Sequence, residues 1–521
     1  MAEPAGWYNQ GYRPAREMRP ARGRVDSSAF HLKQKSTRDR TEMARRLNRR
    51  SSLSRNEELP VFERTLANGL RVLVLPRSHA SIVVCDLFYP VGSHDEPPGK
   101  SGLAHFLEHM LFKGTERFPK GQIDQLAFIA GGQTNAETGE DCTHYWFLFP
   151  SDRWELAIQL EADRMTAAKI VTDEVEAERK VILEERAREM ESPQVRLDQT
   201  HQTVAYLKHP YRTPVIGWPE DLARISARDL RAFYRGHYQP EGAVLVLAGD
   251  LDPLKAFAKV EDCFGAIRRG PRRREQAMIV EPPQNGRRDF TLIEPEALSR
   301  GLLGWHTVPQ GHPDAPALDV LADLLGAGRR SRLWQTLVEQ EKVATWVDAS
   351  HVASRRAGQF FIQVEWASNV DPARVERKIA RVLAQLAKEG PNDEELTRSR
   401  NRLDAGWRWE LEDLAGLASG IGHAALRGDW RTWQAEHDAA MATTSLDLRT
   451  MIARYLTDDR LTVGWSLPRA KPAGVLVEPS PAVQQDSPDD RTGAPADAAA
   501  SIAGKPLVLE VPRAAARLID Y

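Results

Sequence analysis

A stretch rich in Pro, Gly and Arg near the middle of the chain divides it into two parts. Residues 268–289 include a run of Arg, Gly and Pro at 268–274 and a Pro-Pro pair at 282–283. This composition is typical of a linker, because Gly and Pro interrupt both helices and strands. The patterns on either side predict strands and helices in a similar order. The sequence therefore predicts two consecutive α+β units, at residues 59–267 and 290–468, and suggests an internal duplication.

The two ends of the chain differ from these units in composition. Residues 1–58 hold many arginines and few acidic residues, and residues 469–521 are rich in Pro, Ala, Asp and Gln. Both compositions are typical of disorder, so we expect a basic N-terminal arm and a C-terminal tail. The alternatives for the arm are a transit peptide or a start of translation at Met43. Within the tail, the apolar patch Leu507–Val511 could form a strand against a partner or against the rest of the chain.

Charge, hydropathy and cysteine content exclude several classes of protein. The formal net charge is −2, from 71 Lys and Arg against 73 Asp and Glu, which gives no overall attraction to nucleic acid or an anionic membrane. No apolar run approaches the roughly 20 residues that span a bilayer, and the N-terminus lacks the apolar core of a secretory signal. The three cysteines are widely spaced, so no disulfide framework is predicted. We therefore expect a cytoplasmic protein that neither binds nucleic acid nor spans a membrane, with import into an organelle as the alternative.

A helix predicted at residues 102–113 carries the clearest chemical signal of the chain. Ser101 is expected to cap this helix, and Gly114 is expected to end it. Residues four positions apart lie above one another on a helix. His105 and His109 can therefore present two imidazole nitrogens to one metal ion.

Glu108 lies between the two histidines in the sequence and on the same face of the helix. Zinc accepts imidazole nitrogens and keeps one coordination position for water in catalytic sites. A neighbouring carboxylate can accept the proton of that water, because the metal lowers its pKa. The pattern indicates a metal site with Glu108 as general base, with a solvated His/Glu helix face as the structural alternative. The same ligands could also hold manganese or cobalt.

A catalytic zinc ion requires a third protein ligand, and a later helix offers two candidates. Glu178 and Glu185, on a helix predicted at Glu174–Glu191, are seven residues apart and share a face, since seven residues make about two turns. One of them can bind the metal and the other can orient a histidine. An acidic face with a purely structural role is the alternative.

Together these features resemble the M16 peptidases, a family that includes pitrilysin, insulin-degrading enzyme and the mitochondrial processing peptidase. His105, Glu108 and His109 match its inverzincin signature, H-x-x-E-H. Members of the family also carry a distal E-x6-E pattern, which Glu178 and Glu185 match. The resemblance implies that His105, His109 and Glu185 bind one zinc ion. It also implies that Glu108 is the general base and that Glu178 acts from an accessory position.

A further match lies in the segment 131–136, which begins with two glycines and ends with Asn135 and Ala136. It is similar to an edge strand that, in the family, pairs with an extended substrate, whose backbone the asparagine contacts. The resemblance implies that Asn135 and Ala136 bind substrate, since an edge strand offers unpaired N–H and C=O groups. The alternative is that Asn135 only shapes a turn after the double glycine.

The resemblance covers roughly residues 60–467, but the second unit departs from the pattern of many active members. It lacks H-x-x-E-H, as is expected of a non-catalytic unit. Many active members also carry an arginine and a tyrosine there, seven residues apart, which bind the substrate carbonyl. Val338 and Thr345 occupy those positions in this chain. This departure raises the alternative of a non-catalytic scaffold or a processing subunit that depends on a partner.

The predicted architecture is an α+β fold of two M16-type units, in which antiparallel-rich sheets pack against helices. In the family such units face each other as a clamshell. The resemblance therefore implies that this chain forms half of a clamshell and pairs as a homodimer or with a related chain. The predicted function is that of a zinc-dependent metalloendopeptidase that hydrolyses peptides or unfolded and precursor proteins.

Overall fold

The computed structural model describes residues 59–270, 279–367 and 370–469. The predicted basic arm, the predicted tail after Arg469 and the middle of the predicted linker lie outside these residues. Among the described residues, no helix combines the length and the apolar character needed to cross a membrane.

The first half of the described chain alternates strands and helices. Its strands are β1 (Phe62–Thr65), β2 (Arg71–Pro76), β3 (Ile82–Tyr89), β4 (Gln133–Thr138), β5 (Thr143–Pro150) and β6 (Val244–Gly249). Its α-helices are α1 (Leu103–Leu111), α2 (Gln122–Ile129), α3 (Glu155–Ala167), α4 (Thr172–Glu189), α5 (Pro193–Ala205), α6 (Pro219–Leu222), α7 (Ala227–His237) and α8 (Pro253–Phe264). Short 3-10 turns lie at Ser93–Asp95 and Pro210–Arg212.

The second half repeats this alternation. Its strands are β7 (Arg288–Glu294), β8 (Leu298–Thr307), β9 (Trp346–Ala353), β10 (Gly358–Ala367) and β11 (Leu461–Pro468). Its α-helices are α9 (Ala315–Gly326), α10 (Pro372–Glu389), α11 (Asp393–Glu412), α12 (Leu414–Leu426), α13 (Thr432–Ala442) and α14 (Ser445–Tyr455). A π-helical turn lies at Trp334–Gln340 and a 3-10 turn at Asp458–Arg460. Because β7 begins at Arg288, the last two residues of the predicted linker belong to a strand.

The two halves form one sheet each, with the same pattern of strand directions. The first sheet has the order β1-β2-β6-β3-β5-β4, and the second has the order β7-β11-β8-β10-β9. Only the β2/β6 and β7/β11 pairs are parallel, and all other neighbours are antiparallel. Leaving β1 aside, the two sheets therefore match strand for strand. The prediction of an α+β fold with two antiparallel-rich sheets is confirmed.

The pair Asn68-Gly69 between two apolar runs predicts a hairpin, and the first hairpin forms there. Gly69 has a φ of 94°, a conformation that glycine adopts without steric cost. The side-chain amide of Asn68 donates hydrogen bonds to the carbonyls of Phe264 and Ile267, at 2.8 and 3.1 Å. The turn thus joins β1 and β2 and also anchors the end of α8.

One face of the first sheet packs against helices of its own half. These helices contribute buried apolar side chains to a single core: Leu107 from α1, Ile158 from α3, Ile182 from α4, Leu230 from α7 and Val260 from α8. Helix α1 is therefore fixed directly against the sheet.

The opposite face of the first sheet is covered by a helix of the second half. Leu417 and Ile421 of α12 are fully buried against Phe88 and Val246. Gly422 permits this approach, because a Cβ there would lie 2.2 Å from the ring of Phe88. The helix that covers this face is therefore far in sequence from every strand of the first sheet.

The second sheet shows the reciprocal arrangement. Leu197 of α5, in the first half, is buried against Leu302 and Phe361 of the second sheet. On the same helix, Nε2 of the buried His201 lies 3.2 Å from the carbonyl oxygen of Thr462. Each half therefore supplies one helix to the sheet of the other half.

The sequence predicts one helix over 392–415, but the structure breaks it at Asp413. Helix α11 ends at Glu412, and α12 begins at Leu414 in a new direction. The carboxylate of Asp413 accepts the amides of Ala415 and Gly416, at 3.2 and 3.0 Å, as an N-cap. This break is what turns α12 onto the first sheet.

Candidate metal centre

Helix α1 begins differently from the prediction that Ser101 caps it. The hydroxyl of Ser101 instead donates to Asp221 Oδ2, at 2.6 Å. The carboxylate of Glu96 accepts the amides of Gly102 and Ala104, at 3.0 and 2.8 Å. A partly buried carboxylate therefore satisfies amides at the start of the helix that a serine hydroxyl was expected to cap.

The two faces of α1 differ in burial. The face toward the sheet is buried, and it consists of Leu103, Ala104, Phe106, Leu107, Met110 and Leu111. His105, Glu108 and His109 lie on the other side and are only partly buried. The apolar face thus fixes the helix, while the three polar side chains remain available to an ion and to substrate.

The two histidines of α1 meet a glutamate of α4. Donor atoms of His105, His109 and Glu185 all lie within 4.8 Å of one another, and no other such group of three occurs within the described ranges. The two imidazole rings are 4.7 Å apart, and His109 Nε2 lies 3.4 Å from Glu185 Oε2. The structure therefore brings the three predicted ligands together.

Glu178 lies behind His109, on the side away from that cluster. Its Oε1 is 2.9 Å from His109 Nδ1, and its Oε2 is 2.5 Å from the ammonium group of Lys113. A hydrogen bond at Nδ1 fixes the tautomer of the imidazole and leaves Nε2 free for a metal. This is the geometry expected of the accessory position.

Glu108 is held by the edge strand of the first sheet. Its Oε2 accepts a hydrogen bond of 2.5 Å from the hydroxyl of Thr138, the last residue of β4. Since β4 lies at the end of the strand order, its outer edge is unpaired within the described sheet. The carboxylate therefore lies beside both the histidine–glutamate cluster and a free strand edge.

The protonation states differ between the two histidines. Burial and, to a smaller extent, the neighbouring His109 lower the pKa of His105 to about 4. Burial alone would lower the pKa of His109, but hydrogen bonds to Glu185 and Glu178 outweigh it and raise that pKa. Burial raises the pKa of Glu108, against the opposing effect of its hydrogen bond from Thr138.

The donor set fits a zinc ion. Two imidazoles and one carboxylate, with a position left for water, form the ligand set of many catalytic zinc sites. His105 Nδ1 is buried and has no hydrogen-bond partner among the described residues, and Glu185 Oε2 has only the long contact to His109 Nε2 at 3.4 Å. Buried polar atoms rarely remain unsatisfied, so a ligand that binds here would offset their desolvation.

The two predicted substrate-binding residues lie on β4 but face opposite sides of it. Asn135 and Ala136 pair with Trp146 and Tyr145 of β5, so Asn135 belongs to a strand and the alternative that it shapes a turn is wrong. Ala136 packs against the core that contains α1, whereas the side chain of Asn135 is exposed on the other face. The structure therefore places Ala136, but not the Asn135 side chain, on the Glu108 side.

Val338 and Thr345, which stand at the expected arginine and tyrosine positions, have structural contacts in the second half. Val338 packs against the core of the second sheet from the π-helical turn. The backbone amide of Thr345 donates to the carbonyl of Glu365, at 2.8 Å. Neither side chain supplies a cationic or phenolic group.

Sequence reasoning missed three residues that hold the site: Glu96, Lys113 and Thr138. Thr138 lies two residues after the segment 131–136, and its period-2 spacing from Ala136 was the available signal for a shared face. Lys113 lies one helical turn after His109, which places it on the same side of the helix. Glu96 precedes α1 in a loop, and no spacing rule indicates its contact.

Two sequence models of one peptidase family match the chain. The model described as insulinase (peptidase family M16) matches residues 71–217. The model described as peptidase M16 inactive domain matches residues 224–403. Together they cover most of the described residues, and the first contains every predicted site residue.

Curated relatives are similar over most of their length. The zinc protease PqqE of Helicobacter pylori is 30% identical over 378 residues, which are 70% of this chain and 84% of that protein. An uncharacterised zinc protease of Mycobacterium leprae is 32% identical over 377 residues, 70% of this chain and 82% of that protein.

Solved structures share the fold. A protease from Helicobacter pylori has a TM-score of 0.75 at 27% identity, over 78% of this chain and 99% of its own. The periplasmic protease PqqL from Escherichia coli has a TM-score of 0.67 at 21% identity, over 80% of this chain but 48% of its own. The described fold thus corresponds to half of that longer protein.

Proposed function

We start from the premise that this chain belongs to peptidase family M16, and we propose that it is a zinc-dependent endopeptidase of peptides or unfolded proteins. The observation that carries the proposal is the convergence of His105, His109 and Glu185 within 4.8 Å, with Glu108 on the same helix face. The names of the curated relatives, which are called zinc proteases, support the choice of metal.

In this proposal His105, His109 and Glu185 hold the metal. Zinc held there would supply Lewis acidity, which can polarise a carbonyl and lower the pKa of water. Glu178 accepts the Nδ1 proton of His109 in a hydrogen bond and so directs Nε2 toward the cluster.

Glu108 moves the proton of the reaction. One carboxylate oxygen accepts a proton from the attacking water and then gives it to the nitrogen of the leaving amine. The hydroxyl of Thr138 donates to Oε2 of the same carboxylate, which fixes its orientation toward the substrate edge. Hydrolysis therefore needs no second general acid.

The free edge of β4 is the proposed site for the substrate backbone. An extended peptide would add to this edge as a further strand, with main-chain hydrogen bonds to the segment that contains Asn135 and Ala136. The exposed side chain of Asn135 would contact the peptide from the face opposite Glu108. Folded proteins do not offer a free extended segment, so the proposed substrates are peptides and unfolded chains.

We also propose that the chain pairs with a second copy or a related chain. It corresponds to about half of the periplasmic protease PqqL, and two M16-type halves would be needed to enclose a substrate. A related chain could supply a guanidinium and a phenol at these positions, whereas a second copy would again carry Val338 and Thr345.

A second candidate function is that of a non-catalytic or partner-dependent subunit. The specific observation in its favour is the pair Val338 and Thr345, which offers neither a guanidinium nor a phenol. The match of residues 224–403 to a model named for an inactive domain supports it only for the second half.

The deciding experiment is the cleavage of a quenched fluorescent peptide library by the purified full chain. We expect cleavage that a chelator abolishes and zinc restores, and we expect Glu108→Gln to bind zinc stoichiometrically yet lose about 100-fold or more of the activity, since it cannot accept a proton. Glu184→Gln, a neighbour of Glu185 on α4, is the matched control and should remain active.

Two results would count against the proposal. Full activity in Glu108→Gln would exclude Glu108 as the base. Bound zinc without cleavage in the wild-type chain would favour the partner-dependent subunit instead.

A further inference from the structure

Three polar side chains lie together on the face of the first sheet opposite α1. They are Asp86 on β3, His144 on β5 and Glu137 on β4. Asp86 is 2% exposed and His144 is 5% exposed, although both are polar. The proposed chemistry uses none of the three, so the burial of Asp86 and His144 requires another explanation.

His144 is held between the two carboxylates. Its Nδ1 lies 2.9 Å from Asp86 Oδ1, and its Nε2 lies 3.5 Å from Glu137 Oε2. Its ring stacks on Phe88 with 4.7 Å between centroids and 4° between planes. Nε2 is buried and has no hydrogen-bond partner among the described residues, and Glu137 Oε2, at 3.5 Å, is the anionic group next to it.

Helix α12 covers these side chains on the side away from the sheet. The ring of His423 contacts Phe88 and His144 edge-on, at 5.2 and 5.6 Å between centroids. Its Nδ1 lies 3.6 Å from the Cys142 sulfur.

Burial alone would lower the pKa of His144, but Asp86 and Glu137 outweigh the effect of burial and raise that pKa to about 10. The imidazole is therefore a cation at neutral pH.

The position of Glu137 on β4 connects this group to the metal centre. Glu137 lies directly across from His144 in the β4/β5 ladder. The next residue, Thr138, points to the other face and holds Glu108. Adjacent residues thus fix the edge strand from both faces of the sheet.

An edge strand needs such support because it is paired on one side only. The hydrogen bonds at the ends and edges of strands break at a small free-energy cost unless other contacts hold the strand in place. A strand that receives a peptide binds more tightly when it is already in its final position.

We propose that His144, shared between Asp86 and Glu137, is a positioning residue that fixes the edge strand β4 for peptide binding. The proposal rests on the proposed function, because it takes β4 as the substrate edge. Its direct consequence, the immobilisation of residues 133–138, does not depend on activity.

The test compares amide hydrogen exchange across residues 131–138 in the full chain and in His144→Gln. We expect exchange of the amides that β4 donates to β5 to become about tenfold faster in the variant, because a charge-assisted contact is lost. With a cleavable peptide, we expect KM to rise several-fold while kcat changes less. A purely structural role would lower the unfolding temperature without a selective change in β4.

The matched control is His437→Gln. His437 also forms a histidine–aspartate pair, with Nε2 3.3 Å from Asp404 Oδ1, but it lies on α13 in the second half. Exchange in β4 should be unchanged in this variant.

If His144→Gln does not fold, Glu137→Gln decides the question, because the Glu137 side chain is 77% exposed and its replacement leaves the core intact.

Unchanged exchange in β4 in a folded His144→Gln or in Glu137→Gln would overturn the proposal. That outcome is distinct from failure of the proposed function. A wild-type chain that cleaves no peptide can still show the exchange effect, and an active chain can lack it.

Discussion

The carboxylate of Glu178 shows how much of the metal centre depends on groups that do not touch the metal. It links the ammonium group of Lys113 to Nδ1 of His109, at 2.5 and 2.9 Å. The hydrogen bond at Nδ1 therefore sets the direction of the His109 Nε2 lone pair from the side of the ring away from the cluster. Because such partners orient ligands, their loss weakens metal binding even when all ligands remain.

We expect Glu178→Gln to lower zinc affinity by about 10- to 100-fold, because the amide holds the imidazole less firmly than the carboxylate. Titration against a competing chromophoric chelator measures this change. Glu174→Gln is the control on the same helix, since Glu174 pairs with Lys120 in an exposed contact at 2.6 Å. Equal zinc affinity of the two variants would show that Glu178 does not orient His109.

At the scale of elements, the sequence predicts what depends on local spacing. The helical spacing of His105 and His109, the seven-residue interval from Glu178 to Glu185 and the Asn-Gly hairpin all have the predicted local form. Local spacing does not reveal contacts between distant segments. The start of α1 is one example, because Glu96 approaches it through the fold of a loop.

The break between α11 and α12 is the second example of a feature that local pattern does not reveal. The residues of 392–415 favour a helix throughout, and a single aspartate such as Asp413 does not by itself predict that the helix ends there. The break is stabilised because the apolar side chains of α12 bury themselves on the first sheet. Tertiary packing thus overrides helix propensity, which is a weak preference.

Asp413→Ala removes the cap of α12 and should lower the free energy of unfolding by about 1 kcal/mol. Urea denaturation followed by circular dichroism measures this change, provided that the slope of the transition is unaltered. Asp393→Ala, at the first residue of α11, is the control and should change stability by less than about 0.5 kcal/mol. An equal loss in both variants would mean that the cap has no special role.

At the scale of the whole molecule, His144 makes global stability depend on pH. The charged and titratable groups that face it are Asp86 from β3, Glu137 from β4 and His423 from α12, and Cys142, from the turn before β5, contacts His423. Its pKa rises from the ordinary 6.5 to about 10 in the folded protein. A histidine with a raised folded-state pKa stabilises the fold fully below its unfolded pKa, and this contribution is lost as pH rises through the folded value.

We therefore expect the stability advantage of the wild-type chain over His144→Gln to be largest near pH 6.5 and to shrink as pH approaches about 10. Urea unfolding of both proteins at several pH values in this window measures the difference. His437→Gln should show no such trend relative to the wild type. An advantage that stays constant across the window would mean that His144 is neutral in the folded protein.

The exchange of α5 and α12 between the two sheets has a consequence for how this chain can be divided. Each half on its own would present to water the apolar sheet face that the other half covers, around Val246 in one case and Leu302 in the other. The two halves therefore depend on each other as the subunits of an obligate heterodimer do, although they are joined in one chain. We therefore expect a nick between residues 270 and 279 to leave two fragments that co-purify, and either half expressed alone to aggregate through its uncovered sheet face.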